Sequence, residues 1–212
     1  MNFCRLPLWI TAPLVRGPIL FLPLFLSMMT SAAQLSANEQ WASFLKKPSA
    51  STYDPLSRTI QACVVAKCRD GAVLGSEYNF APFYQLLRLA RGGNHFAMDI
   101  AFQMRPLYKN VIAPSEDLEK SLGSSSTFEP KFFLQLTRKY NLSPGILERL
   151  ITQTSTESID DSPAQREELR RRIQSLSKVN DPTLLPLRDK AISFIQREID
   201  QYSSRPDNAL GK

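Results

Sequence analysis

Few side chains in this chain could do chemistry, and their spacing narrows what that chemistry could be. One histidine, His95, follows Gly92-Gly93-Asn94. An imidazole works as a general base only with a nucleophile in reach. No serine stands in the strained Gly-x-Ser-x-Gly setting that exposes a nucleophile. His95 therefore reads as a turn or helix-start residue. Zinc needs three or four His, Cys or acidic ligands, and one histidine with one cysteine pair does not supply them. Asp160-Asp161 lacks the alternating oxygen ligands of a calcium loop. The expectation is no catalytic residue, no metal ligand and no cofactor.

Paired carboxylates are the remaining route to catalysis, since two acids across a cleft can hydrolyse a glycosidic bond. Glu77, Asp99, Glu116, Asp117, Glu148 and Asp160 are the candidates. Asp99 stands out between Met98 and Ile100, because a general acid needs apolar surroundings. Helical phase argues the other way: turning Phe96, Ile100 and Met104 inward leaves Asp99 on the wet side.

The densest basic patch is Arg170-Arg171-Arg172, extended by Arg166 and Lys178. Such a face suits an anion or a protein partner. Glu167 and Glu168 lie four residues before Arg171 and Arg172, the spacing for pairs along a solvated helix. Tyr78, Phe80, Phe83 and Tyr84 form an aromatic group expected in the core, the alternative being the rim of a partner-binding groove. Asn141-Leu142-Ser143 matches a glycan acceptor, with Pro144 directly after it arguing against use.

The elements that must position these residues begin with a leader. Met1 to Arg16 carries Arg5 and Arg16 and no acid. Pro18 to Met29 is apolar apart from one serine, and Ser31-Ala32-Ala33 follows. Basic, greasy, then small-x-small is the order of an export signal cleaved before Gln34. The greasy run falls short of the roughly 18 to 20 residues a membrane span needs. The rival is an uncleaved anchor. Cleavage lowers the net charge from +6 to +4, since two arginines leave. It also removes Cys4 and leaves Cys63 and Cys68, expected as one disulfide in an oxidising compartment. Both cannot sit mid-helix and bond, because five residues turn a helix by about 500°. Cys68 should lie where the chain leaves the helix.

Downstream the pattern is all-α. Asp54-Pro55, Glu129-Pro130, Ser143-Pro144, Ser162-Pro163 and Asp181-Pro182 are predicted helix starts, and Ser162 to Gln165 fits a capping box. Apolar spacing predicts helices over 39–46, from Pro55, from Pro82 to Gly92-Gly93, over 94–109 with Pro106 kinking or ending it, and over 115–122 closed by Gly123. Ser124 to Thr127 is predicted to be a polar linker. Further helices are expected over 130–140, 144–152, 163–179 and 182–202, with 152–161 an exposed loop and 203–212 a tail. Ala62 to Ala66 is β-branched enough for a short strand, but nothing nearby would pair with it. Residues 34–202 should form one helical domain.

Phe83 to Met104 is helix, tight turn, helix, and Phe132 to Gln153 repeats that outline 49 residues later. The segment Leu86-Leu87-Arg88-Leu89-Ala90-Arg91-Gly92-Gly93-Asn94 resembles the inter-helix turn of HEAT-type repeats, whose period is about 40 to 47 residues. The resemblance covers Phe83 to Gln153. It implies stacked helical hairpins; an irregular helical bundle is the alternative. The concave face of such a stack suits protein binding, and the lack of a cofactor motif or metal set points the same way. The expectation is an exported, periplasmic or secreted protein that binds another protein of the cell envelope, an assembly partner or an effector to be neutralised. Nucleic acid is not an expected partner, and no stable membrane span is expected after cleavage. The alternatives are a carboxylate-dependent cell-wall glycoside hydrolase and a carrier of lipid or small molecules.

Overall fold

Short polar side chains decide where these helices begin. In the computed structural model, which describes residues 35–68, 80–154 and 161–204, Ser36 opens α1 (Ala37–Lys46). Its Oγ accepts from the Glu39 amide at 3.3 Å while the Glu39 carboxylate accepts from the Ser36 amide at 2.8 Å. Two orphan donors of the first turn are satisfied at once. The leader, Cys4, Glu77, Tyr78, Asp160 and the tail beyond residue 204 lie outside the described residues.

Ser49, not Asp54-Pro55, opens α2 (Ala50–Ala66). Thr52 Oγ1 accepts from the Ser49 amide at 3.1 Å and donates to the Lys47 carbonyl at 2.8 Å. Pro55 sits inside the helix, one turn further on than the sequence pattern places it. The expected end holds. Lys67 takes a left-handed conformation (φ 53°), which turns the chain back so that Cys68 reaches Cys63 across a Cα separation of 5.0 Å. The disulfide is formed, and Ala62 to Ala66 is helix. The described residues contain no strand.

Helix α3 (Ala81–Arg91) stops at Gly92-Gly93, where Gly93 adopts φ 85°. Asn94 then caps α4 (His95–Tyr108) through Oδ1, which accepts from the Ala97 amide at 3.0 Å. Pro106 neither ends nor precedes the end of this helix by a full turn; α4 continues to Tyr108. Helices α6 (Pro130–Lys139) and α7 (Pro144–Thr152) start at their prolines as expected. Helix α8 (Ser162–Leu176) is capped one residue earlier than expected. Asp161 Oδ1 accepts from the Ala164 amide at 2.9 Å, and its negative charge also suits the helix N-terminus. Before α9 (Leu185–Ser204), Asp181 Oδ1 accepts from Thr183 N and Oγ1 at 3.1 and 2.8 Å. Pro182 therefore lies in that turn, outside the helix.

The largest departure from the sequence reading is α5 (Ile112–Phe128). Gly123 does not close it, and Ser124 to Thr127 is not a linker. The helix runs through all of them, and Ser124, Ser125 and Ser126 are buried. Ser125 and Ser126 donate back to the carbonyls of Leu122 and Gly123, each at 2.6 Å. These local bonds dispose of two hydroxyls that would otherwise be costly to bury. What the four small residues provide is proximity to neighbouring helices. A Cβ on Gly123 would land on the Leu150 carbonyl oxygen and lie 3.0 Å from Arg172 Nη1.

The main packing contacts follow chain order. Each helix packs on the next helix, on the one after, or on both, so α1 meets α3, α2 meets α4, α7 meets α9. Helix α5 does more, touching α3, α4, α6, α7 and α8. Trp41, Phe44, Phe83, Met98, Ile100, Tyr108 and Phe133 are fully enclosed among the helices. Of the aromatic group, Phe83 is core, Phe80 packs partly against it, and Tyr84 is exposed.

Gly123→Ala should force α5 and α7 apart. The expected loss is about 3 kcal/mol or more, at the upper end for overpacking, read as a lower denaturant midpoint. A variant as stable as the parent would show that the close approach is not needed.

Candidate functional site

Helix α8 carries the basic patch, and its geometry splits that patch in two. Leu169, Arg172 and Leu176 share the inward stripe, so Arg172 belongs to the interior and not to a binding face. It is 0 % exposed. Its Nη1 donates to the Ile151 carbonyl at 2.7 Å, and its Nη2 to Glu168 at 2.5 Å and Ser124 Oγ at 3.4 Å. Ile151 lies in the last turn of α7, where carbonyls have no helical partner. Arg172 thus caps α7 from a neighbouring helix. Burial pulls the guanidinium pKa down, and the Glu168 carboxylate opposes that pull.

The rest of the patch faces outward. Arg170, Arg171 and Lys178 are exposed. Arg166 is half-buried and donates to the Tyr202 carbonyl at 3.5 Å. Arg170 pairs loosely with Glu167 at 3.9 Å. Two open clefts flank this face. One, of about 470 Å³, runs between α8 and α9 and is lined by Arg170, Ile173, Gln174, Gln196, Ile199 and Asp200. The other, of about 590 Å³, lies beyond the C-terminus of α8, where Lys178, Val179 and Asn180 face Pro130 and Lys131 of α6. Lys131 there pairs with Asp181 at 3.2 Å.

Asp99 occupies the other notable site. It is buried, contrary to the wet-side phase expected for it. Lys139 Nζ donates to both carboxylate oxygens at 3.0 and 2.9 Å. Tyr140 donates at 2.6 Å, and Tyr53 donates as well. Gln103 donates to the Tyr53 oxygen at 3.0 Å and accepts from Ser57 at 2.9 Å. The carboxylate therefore joins α2, α4 and the end of α6. Burial first, and then the bond to Asp99, pushes the Tyr140 and Tyr53 phenols above their ordinary pKa.

The other described acids are engaged on their own. Glu116 faces Lys120 at 3.9 Å, Glu148 pairs with Arg197, and Asp117 lies beside Tyr84 and raises its pKa, after burial. None of these lines either cleft. His95 is exposed, stacks on Phe132 at 4.0 Å and meets Glu129 at 3.0 Å. Among the described residues no three His, Cys, Asp or Glu side chains gather as a metal site would require. Sequence reasoning missed Tyr53, Lys139 and Tyr140 as partners of Asp99. It also missed buried Glu119, which meets Arg149 at 3.1 Å and Arg105 at 3.5 Å. Partners this far apart in sequence leave no spacing signal.

Two outcomes follow. Arg172→Ala should cost about 3–5 kcal/mol, the range for breaking a buried pair, whereas Arg171→Ala should leave the denaturation midpoint unchanged. The raised phenols favour the folded state fully while pH stays below the unfolded tyrosine value of 10.0. Above it the unfolded state loses protons that the folded state keeps, so stability falls by at most about 1.4 kcal/mol per pH unit per phenol. Denaturation between about pH 9 and about pH 11 should show a shallower fall for Tyr53→Phe/Tyr140→Phe than for the parent. Equal slopes would mean that these phenols are not held in the network.

No protein-family model, no curated protein and no solved structure matches this chain. The HEAT-type resemblance rests on helix spacing alone.

Proposed function

We propose that this is an exported protein of the cell envelope that binds another protein and catalyses no reaction of its own. The observation that carries this reading is the occupancy of Asp99. The acid best placed by sequence for hydrolysis has its oxygens filled by an ammonium and two phenols. No oxygen is left to protonate a leaving group or to attack a sugar, and neither cleft reaches it. The leader supports export, and the disulfide suits an oxidising compartment. No helix of the described residues is long and apolar enough to cross a membrane, and the stacked helices offer broad faces of the kind used for protein contacts.

Expression of the full-length chain in an exporting host, followed by affinity capture from envelope extract, should yield a form beginning at Gln34 with one stoichiometric protein partner. The purified protein should release no fragments from cell-wall polymer. Cell-wall cleavage that disappears in Asp99→Asn would replace this reading with the hydrolase. Retention of the leader in a cytosolic form would remove the envelope assignment.

A further inference from the structure

The side chains that line the cleft between α8 and α9 fall into matched pairs. Helix α8 supplies Arg170, Ile173 and Gln174, and α9 supplies Gln196, Ile199 and Asp200. Each helix thus gives one isoleucine, one amide and one charge, and the two charges are opposite. Both trios follow the spacing i, i+3, i+4, which puts each on one helix face. The helices are antiparallel, since Arg166 early in α8 donates to the Tyr202 carbonyl near the end of α9. Arg170 and Asp200 therefore stand on opposite walls at one end of the cleft. Gln174 and Gln196 stand at the other, with the isoleucines between.

Arg170, Gln174, Gln196 and Asp200 are exposed, Ile173 is half-buried and Ile199 is buried. A polar rim thus surrounds an apolar floor, as at protein interfaces. Arg170 reaches Glu167 loosely, at 3.9 Å. Asp200 accepts from Gln196 Nε2 at 3.0 Å, an amide rather than a cation. The wider surface carries no net charge: Arg170, Arg171, Lys131 and Lys178 are matched by Glu129, Glu167, Asp181 and Asp200. Such a surface selects neither an acidic nor a basic occupant. The cleft complements itself, with its positive wall on α8 and its negative wall on α9.

Independently of the envelope partner proposed above, we propose that the α8–α9 face docks a second copy of this chain, about a two-fold axis running along the cleft. In a two-fold contact the same patch must complement itself. This axis lays α8 of each copy over α9 of the other. Arg170 then meets Asp200 of the second copy, and Asp200 meets its Arg170. Gln174 pairs with Gln196 amide to amide, and the isoleucines of both copies meet on the axis. An axis across the cleft would instead set the charged ends over the glutamine ends and leave every charge unanswered. Helix α8, with 15 residues, is about 22 Å long, and two helices side by side are about 20 Å wide, so the face offers roughly 440 Å² in projection. Standard interfaces take about 800 Å² from each partner. The dimer is therefore weak and reversible, with a dissociation constant of about 10 to about 100 μM.

The test is sedimentation equilibrium of the chain recovered from an exporting host, from about 1 μM to about 1 mM. The mass should rise from one copy to two and stop there, and association should weaken between about 0.05 M and about 0.5 M salt. Arg170→Asp places two acids on the face, and Asp200→Arg places two cations. Each variant alone should associate about tenfold or more weakly than the parent, with a circular dichroism melt like the parent's. An equimolar mixture of the two should recover the dimer, because every charge then meets its opposite across the axis. A pair closed within one chain would give no such recovery. A parent that stays monomeric to the highest concentration, or grows beyond two copies, would overturn the proposal. So would single variants that associate as the parent does, or a mixture that stays monomeric.

Discussion

Helix α5 must lie against helices on both sides of it, and that requires a stretch of it to be nearly bare. Gly123 lets the Leu150 carbonyl of α7 come to the α5 backbone, with no room for even a methyl group between them. Ser124 to Ser126 extend the bare stretch, and two of the three hydroxyls bond back within the helix. The approach leaves the end of α7 beside α8. Only there can Arg172 reach the Ile151 carbonyl while staying paired with Glu168. Close packing and the buried cation thus depend on one another. Without the narrow stretch the guanidinium would lose its acceptor, and without the guanidinium α7 would end in an unsatisfied carbonyl.

Two further buried charge clusters follow the same plan. Asp99 joins α2, α4 and α6, and Glu119 on α5 joins Arg105 of α4 to Arg149 of α7. Desolvation offsets much of the attraction in such pairs, so they add little net stability. Their geometry is more demanding than that of apolar contacts. Apolar contacts are non-directional; a carboxylate held by two phenols and an ammonium is not. The three clusters add direction to the helix packing, and the apolar residues give it cohesion.

Much of this fold was legible in the sequence, because local chemistry governs helix ends. Gly92-Gly93, Asn94, Pro130 and Pro144 mark boundaries through conformational preference and missing amides, and the structure follows them. The cysteine spacing fixed where α2 had to end. Pro55 yields to an earlier local start at Ser49, supported by Thr52. The other failures share a cause: Ser124 to Ser126 and Asp99 each carry a local preference that distant residues override. Three serines after a glycine favour a loop unless a neighbouring helix needs the space they leave. By helical phase, an acid between Met98 and Ile100 faces water until Tyr53, Lys139 and Tyr140 arrive from 40 or more residues away on either side. The basic patch divided for the same reason: nothing in Arg170-Arg171-Arg172 says which arginine faces an orphan carbonyl.

The packing order along the chain has a kinetic consequence. Because most helices meet partners close behind them in sequence, contacts close short loops, and little chain entropy is lost before contacts begin to form. Topologies of this kind fold fast. A polypeptide made N-terminus first could lay down α1 to α4 as a platform before α8 had appeared. Arg172 would then reach the growing end already neutralised by Glu168, its neighbour one turn away, and the last hairpin would close over a charge that never had to enter the interior alone.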